Sequence, residues 1–454
     1  MKKFGFVLLL LTLSVEAFTQ KTYLTVRLKE NAPVSAYLYL NRGSKLIPVD
    51  SILLGRGIFT FNTTKLKPGI YSFVLSEDMF ARFIINNESV EATSSLESLA
   101  DSVRIISSEE NRVYYSFLRA RESYNKKQAS IETLLELYPQ KAKVAKVLRK
   151  EKGKLESEYN STVRDLINTK GNLLASQVIM SELSVKAPES LSPEQQKQYL
   201  IANWWSSFPF ENPNITNTPS IADRLWDYFD LFYVDGASRA EQDEYFKRAV
   251  DEVMNQPSIS KEVQDFFVEE MVKTLSQSSH DELIRHIKVR YANNVPRNLD
   301  EEFDRILKTS IGQIAPNFSI ATDSLKTELY KLKSSGYALV FWSMECSHCR
   351  KLLPELVKHY KKLKEQGFEI VAINLDAYRP AWKLDVKTNG YQWININVQN
   401  PYSDPITRSY NIEGTPTILI LDSQRRIVEK PSDTRGILKA FEKLVSANKK
   451  GNGQ

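Results

Sequence analysis

Cysteine and histidine are scarce in this sequence. Only two cysteines and four histidines occur among 454 residues. At most one intramolecular disulfide can form, so a small disulfide-stabilised fold is excluded. Stability must instead come from packed apolar cores, of which this length allows two or three. A structural zinc site normally takes four protein ligands. Because only His348 and His359 accompany the two thiols, zinc is a weak interpretation, and we expect no metal and no bound cofactor.

A strong net charge and long apolar runs are also missing. The formal charge of +6 is small for this length and gives no reason to expect nucleic acid as a partner. After residue 13, no window approaches the about 18 apolar residues that indicate a membrane-spanning helix. We therefore expect a soluble mature protein that does not bind nucleic acid.

The first 17 residues are typical of an export signal. Residues 1–3 are short and basic, residues 4–13 are almost uninterruptedly apolar, and residues 15–17 resemble the small-residue cleavage pattern. The apolar run is too short for a stable membrane anchor, and no cysteine follows it for lipid attachment. A signal peptide over 1–17 and a periplasmic or otherwise exported protein are the prediction. The alternative is an N-terminal strand or helix of the fold.

Three kinds of sequence follow the signal. Residues 21–105 alternate apolar and polar side chains between turn signals, which predicts a small antiparallel sheet or sandwich. Residues 108–308 carry helical apolar stripes, residues 311–447 alternate strand and helix patterns, and residues 448–454 are a polar tail. The fold class is therefore multidomain α+β, with an N-terminal antiparallel β domain, a helical middle and a C-terminal α/β domain.

The first 300 residues supply no catalytic constellation. The β region is expected to be a scaffold or a partner-binding module. Trp204 and Trp205, with Phe208 and Phe210, form the densest aromatic cluster, which could be a ligand platform but is more simply core. Two further histidines, at positions 280 and 286, are isolated in the sequence and are expected at the surface or at helix ends.

Both cysteines belong to one motif, Cys346-Ser347-His348-Cys349. An apolar strand pattern over 337–341 precedes it, and a helical pattern over 350–366 follows. At a helix N-terminus, free N–H groups and the helix dipole stabilise a thiolate on the first cysteine. A structural disulfide closing so short a loop would remove little unfolded-state entropy. The motif therefore predicts a redox centre in which Cys346 is the nucleophile and Cys349 resolves the mixed disulfide.

Residues 311–447 resemble the thioredoxin fold, and they look most like exported thiol–disulfide oxidoreductases of the TlpA/ResA type. Phe341-Trp342 ends the strand before the motif, Pro354 falls at the family's helix kink, and residues 414–417 match its cis-proline loop. The long interval from Cys346 to that loop fits the family's extra helix–strand insertion, here about residues 376–398.

This resemblance implies roles for particular residues. Pro416, if cis, holds the Thr415 backbone where an extended substrate segment can add as a short strand, and Trp342 packs beneath the active-site turn. The implied sites are catalytic Cys346, Cys349 and His348, substrate-binding Trp342, Ser347, Thr415 and Pro416, and a Cys346–Cys349 redox disulfide. The implied partners are protein disulfides or dithiols and an electron donor in the membrane.

The front part is similar to the small β domains that precede thioredoxin-like domains in exported Bacteroidetes proteins. Residues 49–51, the turn at 55–57 with Phe59 and Phe61, and residues 68–71 carry this likeness.

Three positions depart from the thioredoxin pattern. The buried aspartate of thioredoxin is replaced by Val340, the glutamate of ResA-like proteins by Leu352, and the residue before the first cysteine, often Trp, is Glu345. The usual proton acceptor for the resolving cysteine is therefore missing. Its role must fall to Glu345, to another carboxylate or to water.

The direction of electron flow stays open at this point. His348 can stabilise the Cys346 thiolate and make the centre more oxidising, as in periplasmic oxidases that share a histidine there. Most TlpA/ResA-like proteins are reductases, so reductase or isomerase function is the preferred prediction. The alternatives are a disulfide-forming oxidase and an envelope partner-binding protein with an accessory thioredoxin domain.

Overall fold

The structure is a computed structural model. It describes residues 21–31, 33–276, 280–293, 295, 297–401, 403–412 and 414–451. The predicted signal peptide, residues 1–17, lies outside the described residues. Within the described part of the chain, no helix combines the length and the apolar character needed to cross a bilayer.

The chain divides into two compact units. The first contains residues 1–231 and 256–263, and the second contains residues 232–255 and 264–454. The second half of the helical region, predicted as a single stretch over 108–308, therefore clusters with the C-terminal sheet.

The first unit is β-rich at its start and helical afterwards. Its strands are β1 (Tyr23–Leu28), β2 (Pro33–Arg42), β3 (Lys45–Arg56), β4 (Ile58–Asn62), β5 (Gly69–Ser76), β6 (Met79–Ile85), β7 (Val90–Ser94) and β8 (Arg104–Ser107). Its helices are α1 (Glu109–Leu137), α2 (Lys143–Thr169), α3 (Leu174–Glu182), α4 (Pro193–Asn203) and α5 (Ser220–Asp230), with a 3-10 turn at Pro213–Asn217.

The eight strands form two sheets, ordered β3-β2-β5-β6 and β4-β1-β7-β8. Every pair is antiparallel except β1 with β7, which is parallel. Phe59 and Phe61 of one sheet meet Phe73 of the other edge to face, at centroid distances of 5.7 and 6.2 Å. The predicted β domain is thus confirmed as a sandwich with an aromatic centre.

The aromatic cluster of the helical region is core, as predicted. Trp205, Phe208 and Phe210 are buried, whereas Trp204 is half-buried. The buried Arg224 guanidinium lies over these rings and donates to the backbone carbonyls of Ser181 and Trp204. The cluster is therefore filled by the protein's own groups.

The second unit begins with four helices and ends in an α/β sheet. Its helices are α6 (Arg239–Met254), α7 (Lys261–Leu275, mostly in this unit), α8 (Asp281–Tyr291), α9 (Arg297–Lys308), α10 (Ser347–Glu365), α11 (Arg379–Thr388), α12 (Pro405–Ser409) and α13 (Thr434–Gly451). Its strands are β9 (Ser319–Ala321), β10 (Lys326–Glu328), β11 (Gly336–Trp342), β12 (Phe368–Asn374), β13 (Ile394–Asn397), β14 (Thr417–Asp422) and β15 (Ile427–Glu429), with a 3-10 turn at Leu329–Lys331.

The five-stranded sheet has the order β13-β12-β11-β14-β15, and β11 lies at its centre. Strand β11 runs parallel to β12 and antiparallel to β14. Alternate residues of a strand point to opposite faces, so β11 supplies two cores. Ala338, Val340 and Trp342 pack with α10 and α13, whereas the residues between them pack beside β9 and α12. The sheet is covered on both faces, as the sequence pattern predicts.

Two histidines depart from the prediction that they are isolated. His280 Nδ1 lies 2.5 Å from an Asp243 carboxylate oxygen, and His286 Nε2 lies 2.7 Å from one of Asp251. Both imidazoles are half-buried. The partners lie on α6, some 35 residues earlier in the chain, so only the packing of α6 against α8 brings them together.

Candidate active site

The end of β11 positions the two thiols. All seven residues of β11 are buried, so the strand end is held firmly where the chain turns at residues 343–346. The helix predicted from Arg350 in fact begins at Ser347, because the Cys346 side chain itself caps it. Pro354 lies inside this helix, where the resemblance places it.

Cys346 is the N-cap of α10. Its Sγ accepts a hydrogen bond from the Cys349 backbone N–H at 3.2 Å and donates to the Thr415 carbonyl oxygen at 3.2 Å. Partial burial raises the pKa of this thiol, but hydrogen bonds from Cys349, from the Thr415 side chain and from the His348 backbone outweigh burial and hold it below the ordinary value. A half-buried thiol with a lowered pKa has the properties of an attacking nucleophile.

Cys349 has the opposite environment. It is completely buried in the core formed by β11, α10 and α13. Burial, and next the neighbouring Cys346 thiol, raise the pKa of Cys349 to about 12. Both cysteines are free thiols, so the structure shows the dithiol form. The two pKa values are pushed apart, which separates an acidic outer thiol from a protonated inner one.

The loop before β14 lies against Cys346. The Thr415–Pro416 peptide bond is cis, and the Thr415 carbonyl is the group that contacts Cys346 Sγ. Both residues are half-buried. The structure therefore brings together Cys346, Cys349, Thr415 and Pro416, which are far apart in the sequence.

The remaining predicted site residues lie on either side of the thiols. Trp342 is only 2% exposed and meets Tyr391 edge to face at 5.8 Å, beneath the active-site turn. Ser347 and His348 are exposed on the first turn of α10. Among the described residues, the His348 imidazole has no hydrogen-bond or ion-pair partner, so it faces solvent near Cys346.

Asp376, which is not among the predicted site residues, holds the turn at residues 343–346. The Asp376 carboxylate accepts hydrogen bonds from Ser343 Oγ at 2.7 Å, from the Met344 backbone N–H at 2.8 Å and from Asn374 Nδ2 at 2.6 Å. The available signal was Asn374 and Asp376 at the carboxyl end of β12, which lies beside that of the parallel strand β11. Asp376 is thus a carboxylate next to the site, one of the three kinds of proton acceptor left open above.

The positions that depart from thioredoxin are apolar or exposed. Val340 and Leu352 are buried in the same core as Cys349, and Glu345 is exposed. Tyr391 lies in this core too, and its pKa is raised to about 12 by burial first, then by Asp385 and by the Cys349 thiol. The inner cysteine is therefore enclosed by apolar and aromatic groups.

A metal centre has no support in the described part of the chain, where no three side chains among His, Cys, Asp and Glu converge to hold an ion. His359 instead approaches Glu355 of its own helix, at 3.6 Å.

Comparisons with known proteins identify this arrangement. A model of thioredoxin-like domains matches residues 336–427. The thiol–disulfide oxidoreductase ResA of Bacillus cereus is 34% identical over 124 residues, which cover 27% of this chain and 70% of that protein. ResA of Bacillus subtilis is 31% identical over 126 residues, which cover 28% and 69%.

Solved structures add two similar chains. The thioredoxin domain of a Bacteroides vulgatus thiol–disulfide oxidoreductase is 28% identical, covers 30% of this chain and 98% of that chain, and has a TM-score of 0.28. A thioredoxin-like protein from Bacteroides caccae is 18% identical, covers 58% and 98%, and has a TM-score of 0.41.

The sheet, the capped dithiol and the matched model define a thioredoxin-like protein, as the sequence motifs predicted. More specifically, the chain belongs to the ResA family of thiol–disulfide oxidoreductases, since it covers over two thirds of these relatives at more than 30% identity. It is an enzyme of disulfide chemistry, and its homologues support a reductase or isomerase.

Proposed function

We propose that this chain reduces or isomerises disulfides of exported proteins, with Cys346 as nucleophile and Cys349 as resolving thiol. One observation carries the proposal: the accessible thiol at the helix N-terminus has the lowered pKa, and the buried thiol has the raised one. The thiolate is the attacking species, so this asymmetry decides which sulfur attacks first.

The reaction consists of two exchanges. The Cys346 thiolate attacks one sulfur of a substrate disulfide, the substrate S–S bond breaks, and the released substrate thiolate takes up a proton. Cys349 then loses its proton and attacks the Cys346 sulfur, which breaks the mixed disulfide and releases the second substrate thiolate. Two electrons pass to the substrate, and Cys346 and Cys349 become a disulfide. In isomerisation, another thiolate of the substrate attacks the substrate sulfur of the mixed disulfide, which forms a new substrate disulfide and releases the Cys346 thiolate.

Formation of the mixed disulfide itself activates Cys349. The neighbouring Cys346 thiol is one of the causes that raise the pKa of Cys349. Once Cys346 is bonded to the substrate, it can no longer carry a negative charge, so this contribution disappears. Burial remains, and a base must still take the proton. Asp376, whose carboxylate contacts the active-site turn, and water are the acceptors that we propose.

The other predicted site residues support these exchanges. The Thr415 backbone and Pro416 offer an extended edge to the substrate beside Cys346. Ser347 and His348, exposed on α10, flank the approaching disulfide, and Trp342 supports the turn from below.

The proposal places the protein in the periplasm or another exported compartment after removal of residues 1–17. An electron donor in the membrane would return Cys346 and Cys349 to the dithiol form. The domain at 311–447 performs the exchange, while the regions at 21–105 and 108–308 recognise partners or act as a scaffold. The oxidising compartment supplies the substrates, namely incorrectly or transiently formed protein disulfides.

An oxidase is the second candidate, and the lowered pKa of Cys346 favours it. A stabilised thiolate stabilises the reduced enzyme and so makes its disulfide more oxidising. The reduction potential of the Cys346–Cys349 pair, measured against glutathione, tests the direction. A potential near that of thioredoxin, about −270 mV, supports the reductase, whereas one near about −120 mV supports the oxidase.

A further inference from the structure

A cleft of about 520 Å³ opens beside the proposed nucleophile, within the second unit. Its walls include Arg305, Ser343, Leu375, Arg408, Ile412 and Thr415. Two of these residues belong to the active-site surroundings: Thr415 contacts Cys346 Sγ, and Ser343 lies on the turn before it. A polypeptide whose disulfide reaches Cys346 can therefore place its neighbouring residues in this cleft.

The charged residues among the described lining of the cleft are both basic. Arg305 comes from α9 and Arg408 from α12, and every other described residue that lines the cleft is uncharged. Neither guanidinium has an ion-pair or hydrogen-bond partner among the described residues, although other basic residues nearby do. Lys288, for instance, pairs with Asp300 and Asp304. Two cations without carboxylate partners at one cleft are suited to an anionic ligand.

The packing of α9 fixes the position of Arg305. Phe303 and Ile306, on either side of it in the sequence, are buried. Arg305 itself is half-buried, so part of its side chain is immobilised against the protein. It also lies outside residues 336–427, the segment that matches the thioredoxin-like model. Substrate preference at this cleft would thus depend on a helix that precedes the matched segment.

We propose that the cleft binds an acidic segment of the substrate polypeptide, whose carboxylates pair with Arg305 and Arg408 while an adjacent disulfide meets Cys346. The apolar side chains of Leu375 and Ile412 contact the aliphatic parts of the same segment. This inference rests on the proposed function and specifies its substrate class. Guanidinium groups suit carboxylates because they bind them through two parallel hydrogen bonds.

The test compares disulfide-bonded peptides of one length with the full chain. The disulfide loop stays the same, and its flank carries three Glu, three Gln or three Lys residues. We expect kcat/KM for the Glu peptide to exceed that for the Gln peptide by roughly tenfold, as two partly exposed ion pairs allow. The preference should shrink as salt is raised from 50 to 500 mM. Equal values for the Glu and Gln peptides would overturn the proposal.

Charge reversal provides the matched variants. The double variant Arg305→Glu/Arg408→Glu should prefer the Lys peptide, a reversal that misfolding cannot produce. Lys308→Glu makes the same change of charge on an exposed residue of α9 that does not line the cleft, and it should keep the preference of the wild type. A double variant that still prefers the Glu peptide would contradict the assignment to these two arginines.

A binding measurement separates this inference from the proposed function. The anisotropy of a fluorescent, cysteine-free Glu peptide reports occupation of the cleft whether or not disulfides react. Binding of the Glu peptide without reduction of any disulfide would support the cleft and count against the proposed chemistry. Reduction of hydroxyethyl disulfide without preferential binding of the Glu peptide would support the chemistry and refute the acidic substrate class.

Discussion

Strands β11 and β3 differ in the burial of their side chains. Every residue of β11 is buried, whereas no residue of β3, an edge strand of the N-terminal sandwich, is buried. A strand covered on both faces has little freedom to move, and its end can hold a reactive turn within a few tenths of an ångström. The thiols thus lie at the end of a strand that is fixed on both faces, whereas β3 presents its side chains largely to solvent.

The largest effect is expected from removal of the proposed nucleophile at the end of β11. Cys346→Ser should lower insulin disulfide reduction on the order of a thousandfold or more, because a serine hydroxyl is not ionised at neutral pH. Cys349→Ser should instead accumulate mixed disulfides with substrate, visible as a mass increase that dithiothreitol reverses. Ser51→Ala, an exposed change in β3, is the control and should keep full activity. Full activity of Cys346→Ser would refute the assignment of the nucleophile.

The different environments of the two thiols should appear in their alkylation by iodoacetamide. Alkylation requires the thiolate, so its rate rises with pH until the pKa is passed. The rate for Cys346 should level off at a lower pH than that of an ordinary cysteine, since its pKa is lowered. Cys349, with a pKa of about 12 and no exposed surface, should remain unmodified at pH 8 in the reduced native protein. Mass spectrometry of the two peptides gives both profiles, and equal rates at pH 8 would contradict the asymmetry.

Truncation of one leucine in each strand tests whether β11 contributes more to the free energy of unfolding than β3 does. Leu339 in β11 is completely buried, whereas Leu53 in β3 is 68% exposed. Leu339→Ala should lower the free energy of unfolding of its unit by about 3 kcal/mol, through lost burial and a cavity. Leu53→Ala should change it by less than about 0.5 kcal/mol. Urea unfolding followed by tryptophan fluorescence measures both, and similar losses would show that β11 is no more rigidly packed than β3.

Much of the redox site was predictable because its signals are local in sequence. The cysteine spacing and the apolar strand before it lie within a few residues of one another, and the Thr-Pro-Thr loop is a second short motif further along the chain. Hydrophobic period reports strands and helices directly. The apolar strand predicted at 337–341 lies within β11, which is one residue longer at each end. Helix α10 began three residues earlier than its apolar stripe, because capping by a side chain extends a helix beyond its periodic part.

Contacts between distant elements were not predictable from these signals. The pairing of His280 with Asp243, the approach of Arg305 to the Thr415 cleft and the division of the helical region between two units all depend on how helices pack. An apolar stripe shows that a helix buries one face, but it does not show which other element packs against that face. The contacts of Asp376 belong to this class, since they join the end of β12 to the turn after β11.

The smallest expected effect comes from Asp376, which tests how the turn after β11 is held. Asp376→Asn keeps the shape of the side chain but replaces the charged acceptor shared by Ser343 and Met344 with a neutral amide. Because hydrogen bonds to a charged acceptor contribute about 1.5–3 kcal/mol, we expect the free energy of unfolding to fall by roughly 1–2 kcal/mol. Disulfide reduction should fall several-fold as the turn loosens.

The control for this test is Asp385→Asn, on α11. The pKa of Asp385 is raised by burial and by the negative charge of Asp376, and its carboxylate accepts a hydrogen bond only from Asn389 of its own helix among the described residues. Removing the Asp385 charge should therefore leave stability and activity nearly unchanged. If Asp376→Asn unfolds and reduces insulin like Asp385→Asn, the turn is held by the burial of β11 alone, and the carboxylate contributes nothing to it.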